Sequence, residues 1–459
     1  MLDQDRAEQI FAKIKKFSSV AEVEVIFSST NFSLTRFANN TIHQNVSEIN
    51  EVASIRVAID GKTARATTNR FDDESLKRAV QSAQSIAKVQ EPDPDLLPMA
   101  SAGEGKGAES PSRWFDETAA ITPADRAEGV GRIVSVAKKN KLVTAGIFSS
   151  TQTAEAVVNS NGLSVFHHQT LAEVSITMLA ESSSGWQKAN SPDVNNVHPV
   201  RLAEIAAQKA RDSGNPQELP PGKYTVILEP AAVLDLIGFM FWDFGGLAIL
   251  DQRSFLNNRI GTKLFGENIT IIDDVTHPLQ ANPSFDGEGV RRSQVTLVEK
   301  GVTRNLVYAR GTAQKMRQSE FKDNVGEIRP TGHGFPLPNE MGEAPASIVF
   351  VTPGREQTVE EMIAGTERGI LITRLWYIRE VDPYEKILTG MTRDGTFLVE
   401  NGKVKGGLRN FRFNQSLIEM LNSVEAMSRA VRASGEEAFD MVVPAMKIRE
   451  FNFTEVTRF

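Results

Sequence analysis

The sequence predicts an α+β protein: an N-terminal α/β domain with an antiparallel sheet and packed helices, then a strand-rich, barrel-like C-terminal domain. Three observations carry this expectation. The chain has 459 residues, enough for two or three domains at about 100–200 residues each. Helical and strand periods alternate through the first part, whereas short strands and turn dipeptides dominate the second. Between them lies Ser213-Gly214-Asn215-Pro216-Gln217-Glu218-Leu219-Pro220-Pro221-Gly222, where Pro and Gly cluster and no side-chain period survives. The expected domains are therefore 1–214 and 223–459.

The elements follow in order. Residues 3–16 form an amphipathic helix, with Ile10, Phe11 and Ile14 on one side. Val23, Val25 and Phe27 alternate with Glu22, Glu24 and Ile26, an imperfect period of two that reads as a strand. Ala53, Ile55, Val57 and Ile59 alternate more cleanly and end at Asp60-Gly61, a hairpin dipeptide. Residues 71–89 return to helical spacing, with Leu76, Ala79, Val80, Ala83 and Ile86 on one face. Residues 90–113 carry Pro, Gly and Ser without a period and read as a loop.

A second round resembles the first. Thr122-Pro123 supplies an N-cap and a Pro at the first helical position, opening a helix to about Asn140. Asn161-Gly162 marks a hairpin, and Val174, Ile176 and Met178 then alternate with Ser175 and Thr177. A helix over 200–212 closes the round. Two readings fit this repeat: an internal duplication, or one sheet with helices packed on it.

In the second domain, 224–228 reads as a short buried strand. Residues 234–244 are apolar nearly all round and predict a buried helix, whose Asp235 and Asp243 need partners or a wet face. Residues 296–299 and 302–307 flank Lys300-Gly301, and 396–400 and 403–404 flank Asn401-Gly402, giving two hairpins. Thr358-Val359-Glu360-Glu361 is a capping box that turns Val359, Met362 and Ile363 inward. The last helix is placed over 414–432.

Composition narrows the chemistry. There are 51 Lys+Arg against 58 Asp+Glu, a formal net charge of -7. Nucleic-acid binders carry a basic surplus to displace counterions, so no nucleic-acid partner is expected. Cys is 0, which removes disulfides, thiolate nucleophiles, iron–sulfur clusters and Cys-bearing zinc sites. The start, Met1-Leu2-Asp3-Gln4-Asp5-Arg6, is polar and unlike a signal peptide. The longest apolar patch, 231–250, is broken by Asp235, Asp243 and several Gly, short of the roughly 18–20 residues of a membrane span. A cytoplasmic protein with no membrane partner is expected.

His is 6, and no two stand at the spacing of a helical zinc-hydrolase motif. His167-His168 are adjacent, so on a strand they point to opposite faces, one core and one surface. His43 and His198 are isolated, and His277 precedes Pro278 in a turn. His333 lies in Arg329-Pro330-Thr331-Gly332-His333-Gly334-Phe335-Pro336, a rigid loop of the kind where function concentrates. No nucleophile elbow, P-loop or dinucleotide fingerprint occurs. Ile271-Ile272-Asp273-Asp274 reads as a strand running into a turn. Asp286-Gly287-Glu288-Gly289 reads as a tight turn with solvated acids, a Mg or Ca site being the alternative. Phe239, Phe241 and Trp242 line either a groove for an extended peptide or plain core; the candidate groove residues are Phe241, Trp242, Asp286 and His333.

Several stretches, in order, resemble one family. They are Arg36-Phe37-Ala38-Asn39-Asn40-Thr41-Ile42-His43-Gln44, Ile55-Arg56-Val57, Glu91-Pro92-Asp93-Pro94-Asp95 and Val158-Asn159-Ser160-Asn161-Gly162. Pro283-Ser284-Phe285-Asp286-Gly287-Glu288-Gly289-Val290, Lys300-Gly301-Val302, Thr331-Gly332-His333 and Val399-Glu400-Asn401-Gly402-Lys403 follow. The chain resembles the TldD/PmbA family, also called modulator of DNA gyrase. The resemblance implies an α/β N-terminal and a strand-rich C-terminal domain. It implies that TldD-type members hold zinc with a His-Glu-x-x-x-His helix and a C-terminal Cys. They pair with PmbA/TldE-type members that lack these ligands, and the pair cleaves unfolded or flexible peptides.

Anchored on Ser254-Phe255-Leu256, the motif helix falls on Gly238-Phe239-Met240-Phe241-Trp242-Asp243. Gly238 and Asp243 stand where the two His would be, and Phe239 where the Glu would be. The resemblance thus implies a PmbA/TldE-like chain with a degenerate zinc site and no catalytic or metal-binding residue of its own. Zinc is expected in a TldD-like partner, with a dimer formed with that partner or with itself. Two alternatives stay open: a non-catalytic peptide- or protein-binding regulator, and independent hydrolysis by Asp243, Asp286 and Glu288.

Overall fold

The long strands of the first part pair into one antiparallel sheet with helices on one face. The structure, a computed structural model, describes residues 1–107 and 110–457. Helix α1 (Gln4–Phe17) is capped by the Asp3 carboxylate, which accepts from the Arg6 N–H. Strands β1 (Glu22–Ala38), β2 (Thr41–Ile59) and β3 (Lys62–Thr68) follow, then α2 (Asp73–Val89). The second round runs through the one-turn helix α3 (Asp116–Ala119), α4 (Pro123–Lys139), β4 (Val143–Asn159), β5 (Ser164–Leu179), β6 (Ser184–Ser191) and α5 (Pro199–Asp212). Thr122 and Asp125 form a reciprocal capping box at α4. The predicted loop 90–113 holds no helix among its described residues, and Arg113 bridges to Gln169; positions 108 and 109 lie outside the described residues.

The strand order is β3-β2-β1-β4-β5-β6. The two rounds therefore join through their first strands, in register from Glu24↔Asn159 to Phe37↔Gly146. Helices α1 and α2 cover one half over Val25, Phe27, Ile55 and Val57. Helices α4 and α5 cover the other over Phe148, Val174 and Ile176. Ile86 departs from its expected face and is exposed.

The imperfect alternation of β1 has a physical cause. Val23, Val25 and Phe27 face the helices, while Glu24 and Ile26 face the second part of the chain. A strand covered on both faces loses clean alternation. Glu24 is buried there with Arg56 (3.1 Å) and Arg65 (2.8 Å), and Arg65 also donates to the Leu337 carbonyl at 2.7 Å.

The C-terminal part is strand-rich, as expected, and the protein is α+β. Strand β7 (Gly222–Leu228) pairs with Arg368–Asp382 on one side and Met446–Val456 on the other. Phe411–Ser416 and Ile387–Glu400 complete the path, and Ile387–Glu400 pairs back to Arg368–Asp382, so the sheet closes as a ring. Phe411, Phe413, Phe451 and Phe453 fill its interior, with centroids 4.8–5.5 Å apart. A second sheet is built from short strands, among them Ile271–Asp273, Ile348–Phe350 and Met441–Val443.

Two expected helices are corrected. The 234–244 helix is α6 (Pro230–Ile237) continued by a tighter 3-10 segment, Gly238–Phe244. Three residues per turn stack positions i and i+3. Phe241 and Phe244 thus go inward, while Phe239 is half-buried at the core's edge and Trp242 faces outward at 47% exposure. The 414–432 helix is instead the end of a strand, a short helix Leu417–Asn422 capped by Ser416, and strands Val424–Met427 and Val431–Ala433. Pairing of Phe411–Ser416 and Val424–Met427 with Met446–Val456 outweighs local helical spacing.

Candidate functional site

The candidate residues converge on two adjoining cavities that share Trp242 and Phe439 as a wall. The first is a groove of about 430 Å³. Its lining includes Ile26, Ala156 and Val157 from the join of β1 and β4, and Phe285, Phe335 and Pro336 from the C-terminal loops. All four expected groove residues, Phe241, Trp242, Asp286 and His333, line it. Trp242 lies over Phe335 with centroids 5.7 Å apart, and Phe241 meets Phe439 at 6.4 Å. The second cavity, about 630 Å³, is lined by Gly238, Phe239 and Asp243, the residues expected at the degenerate motif, with Arg253, Glu380 and Lys386.

Beneath the groove's apolar lining lie buried charges. Asp286 Oδ1 accepts from the N–H groups of Glu288 (2.9 Å) and Val290 (3.0 Å), and Oδ2 from Gly334 (2.7 Å). Asp286 and Glu288 are each 3% exposed, so the expectation of solvated acids is wrong. The carboxylate of Asp286 satisfies the amides of its own turn and of the His333 loop, which draws the turn inward. Burial pushes the Asp286 carboxyl up, against the opposing charge of Arg292. Glu288 is pushed up to about 7 by burial and by neighbouring Asp286, with Arg310 opposing.

His333 and Asp273 have fully buried side chains, with Nε2 3.0 Å from Oδ1. The pair is within ion-pair distance without the angle of a hydrogen bond. His333 Nδ1 lies 3.0 Å from Thr331 Oγ1, and Asp273 Oδ2 accepts from the N–H groups of Ala346 (2.7 Å) and Ser347 (2.9 Å). Burial alone would raise the Asp273 carboxyl. His333, Arg292 and the amides outweigh it and hold the group below its ordinary value. Asp273 was legible only as the end of an apolar strand. Glu155, Arg292 and Phe439 carried no signal at all. Burial raises the Glu155 carboxyl and Arg292 opposes that shift.

In the second cavity the Asp243 carboxylate meets Lys386 Nζ at 2.5 Å and accepts from the Phe255 N–H at 3.0 Å. Burial raises Asp243, and the Lys386 charge opposes this. Gly238 allows close approach of the Phe439 loop, since a Cβ there would stand 2.4 Å from that of Ala438. The same loop is anchored by buried Asp235, whose Oδ1 accepts from the N–H groups of Glu436 (3.1 Å) and Glu437 (3.0 Å). Burial pushes Asp235 up to about 6. A Cβ at Gly435 would lie 2.1 Å from that oxygen, so only glycine fits.

These features define an apolar groove over buried, amide-bound carboxylates. Residues 23–87, 104–213 and 221–455 match, in turn, domain 1, the central domain and the C-terminal domain of PmbA/TldA metallopeptidases. The chain belongs to the PmbA/TldD family, a family tied to proteolysis. Metalloprotease PmbA of Escherichia coli O157:H7 is 20% identical over 408 residues, covering 86% of this chain and 84% of that protein. The PmbA homolog of Haemophilus influenzae is 21% identical over 455 residues, covering 92% of each. The crystal structure of TldE from Thermococcus kodakarensis shares the fold, with a TM-score of 0.84, 22% identity, and 98% and 99% coverage. No helix among the described residues is long and apolar enough to cross a membrane.

The family's name implies a metal, and the residues expected at the motif position do not fit one. Zinc sites use three or four His, Cys or carboxylate ligands. Within 238–243 the one side-chain donor is Asp243, with Glu380 as a second carboxylate nearby, and a lysine ammonium already contacts both. Among the described residues no group of three or more His, Cys, Asp or Glu is arranged to hold an ion.

Proposed function

We propose that this chain is the non-metal-binding subunit of a TldD/TldE-type protease complex that acts on unfolded or flexible peptides in the cytoplasm. Its role is to grip extended peptide, while a TldD-like partner carries the zinc. The observation that carries this reading is the aromatic groove next to a motif position that offers one carboxylate and an ammonium. Trp242, Phe335 and Phe439 supply flat apolar surface for side chains, and such surface favours burial without demanding one sequence. Asp286 and His333 keep the loops beneath it rigid; neither is needed to activate water.

The test is to purify this chain alone and with a partner bearing His-Glu-x-x-x-His, then follow cleavage of a disordered peptide. Cleavage only by the pair, abolished by a chelator, is the expected result. Chelator-insensitive cleavage by the chain alone would overturn it. Peptide binding with no such partner recovered would favour a stand-alone binding module.

A further inference from the structure

We propose that the Lys386 ammonium is the resident cation of the degenerate site. On this proposal, removing it leaves Asp243 and Glu380 as a site for a hard divalent cation. This deepens the reading of a chain without metal of its own and rests on the motif's placement at 238–243.

Three oxygens from separate segments surround one nitrogen. Lys386 Nζ is 2.5 Å from Asp243 Oδ2, 2.7 Å from Glu380 Oε1 and 3.4 Å from the Phe239 carbonyl oxygen. An ammonium has three N–H donors, so donors and acceptors match one to one. Lys386 is 3% exposed, and its nitrogen lies 5.5 Å from the centroid of the Phe255 ring. Its backbone holds φ 48°, a conformation that L-residues rarely adopt. The turn between Arg368–Asp382 and Ile387–Glu400 thus delivers the side chain inward at the expense of local preference.

The chemistry follows from charge. A buried carboxylate such as Asp243 needs a compensating cation. This chain supplies a compact point charge attached to its own backbone. With the amine gone, the remaining donors are all oxygens. Oxygen sets suit Mn²⁺, Ca²⁺ or Mg²⁺ and not zinc, which prefers nitrogen and sulfur.

The experiment compares the full chain with Lys386→Met, which keeps the apolar stem, and with the double variant Lys386→Met/Asp243→Asn. Each is stripped with chelator and titrated with Mn²⁺ by calorimetry, and melting is followed with and without the ion. Lys386→Met is expected to take up about one Mn²⁺ with Kd on the order of 10⁻⁴ M. That is at least about tenfold tighter than for the wild type or double variant, and the ion raises only the single variant's Tm. If Lys386→Met is insoluble when stripped, soluble recovery with Mn²⁺ in the medium is the supporting result. Folded Lys386→Met that takes no ion, or insolubility with and without Mn²⁺, would overturn the proposal. So would stoichiometric binding by the wild type that Asp243→Asn abolishes. Peptide binding by the groove is read separately, so failure here is distinct from failure of the subunit reading.

Discussion

The two cavities on either side of Trp242 and Phe439 handle charge in opposite ways. The groove holds its buried Asp286 with backbone amides, while His333 stands at ion-pair distance from Asp273. Its neighbour places carboxylates at the wall and neutralises them with a lysine. One short segment serves both, because the 3-10 winding of Gly238–Phe244 sends alternate aromatics to different sides. A buried charge held by amides leaves an apolar surface free for a ligand. A buried charge held by an ammonium fills the space that a ligand or ion would use.

The largest expected effect is on the lysine side. Lys386→Ala leaves the buried Asp243 carboxylate uncompensated, beside a more exposed Glu380, and should cost about 3–5 kcal/mol in urea unfolding. A loss under about 1 kcal/mol would mean that water already does the ammonium's work. Next comes Glu288, pushed up to about 7 from an ordinary 4.5. Its folded form favours the proton, so its cost is absent below about pH 4.5, grows as pH rises through 7 and is complete above it. Wild-type stability should therefore fall between pH 5 and pH 8 by on the order of 1–3 kcal/mol from this group. Glu288→Gln should flatten that dependence, which melting at the two pH values reads directly. An unchanged slope would show that Arg310 keeps Glu288 ionised throughout.

The smallest effect on stability is expected on the groove side. Trp242 is 47% exposed, so Trp242→Ala should change folding by about 1 kcal/mol or less. Its effect on peptide affinity should be larger, roughly tenfold or about 1.4 kcal/mol, by fluorescence anisotropy with a labelled disordered peptide. Equal losses in stability and affinity would dissolve the distinction between ligand surface and core. Phe439→Ala should act like Trp242→Ala but more weakly, since it removes one ring from a loop that Asp235 still anchors.

Local chemistry made much of this fold legible. Asp60-Gly61, Lys300-Gly301 and Asn401-Gly402 all adopt the positive φ that two-residue hairpins need. The caps at Thr122 and Thr358 form as capping boxes. What failed was decided at a distance. Leu417, Met420, Leu421 and Val424 keep helical spacing, yet ladder pairing with Met446–Val456 breaks the helix into strand, turn and strand. The Asp286 turn looked solvated because its amide partner Gly334 lies 48 residues away. The site was legible in part for the same reason. Aromatics at Phe241 and Trp242 and a Gly- and Pro-framed His333 announce themselves locally. Lys386 is one lysine in an ordinary strand turn until the fold brings Asp243 and Glu380 to it.

The meeting of the two strand rounds at β1 and β4 also sets a timetable. Ile26 and Val157 are partners across that join, and both line the groove, whose opposite wall includes Phe439. In a growing chain this groove is therefore incomplete until nearly all of the chain has left the ribosome. On the role proposed above, the chain would thus be barred from seizing its own unfolded segments while it is being made.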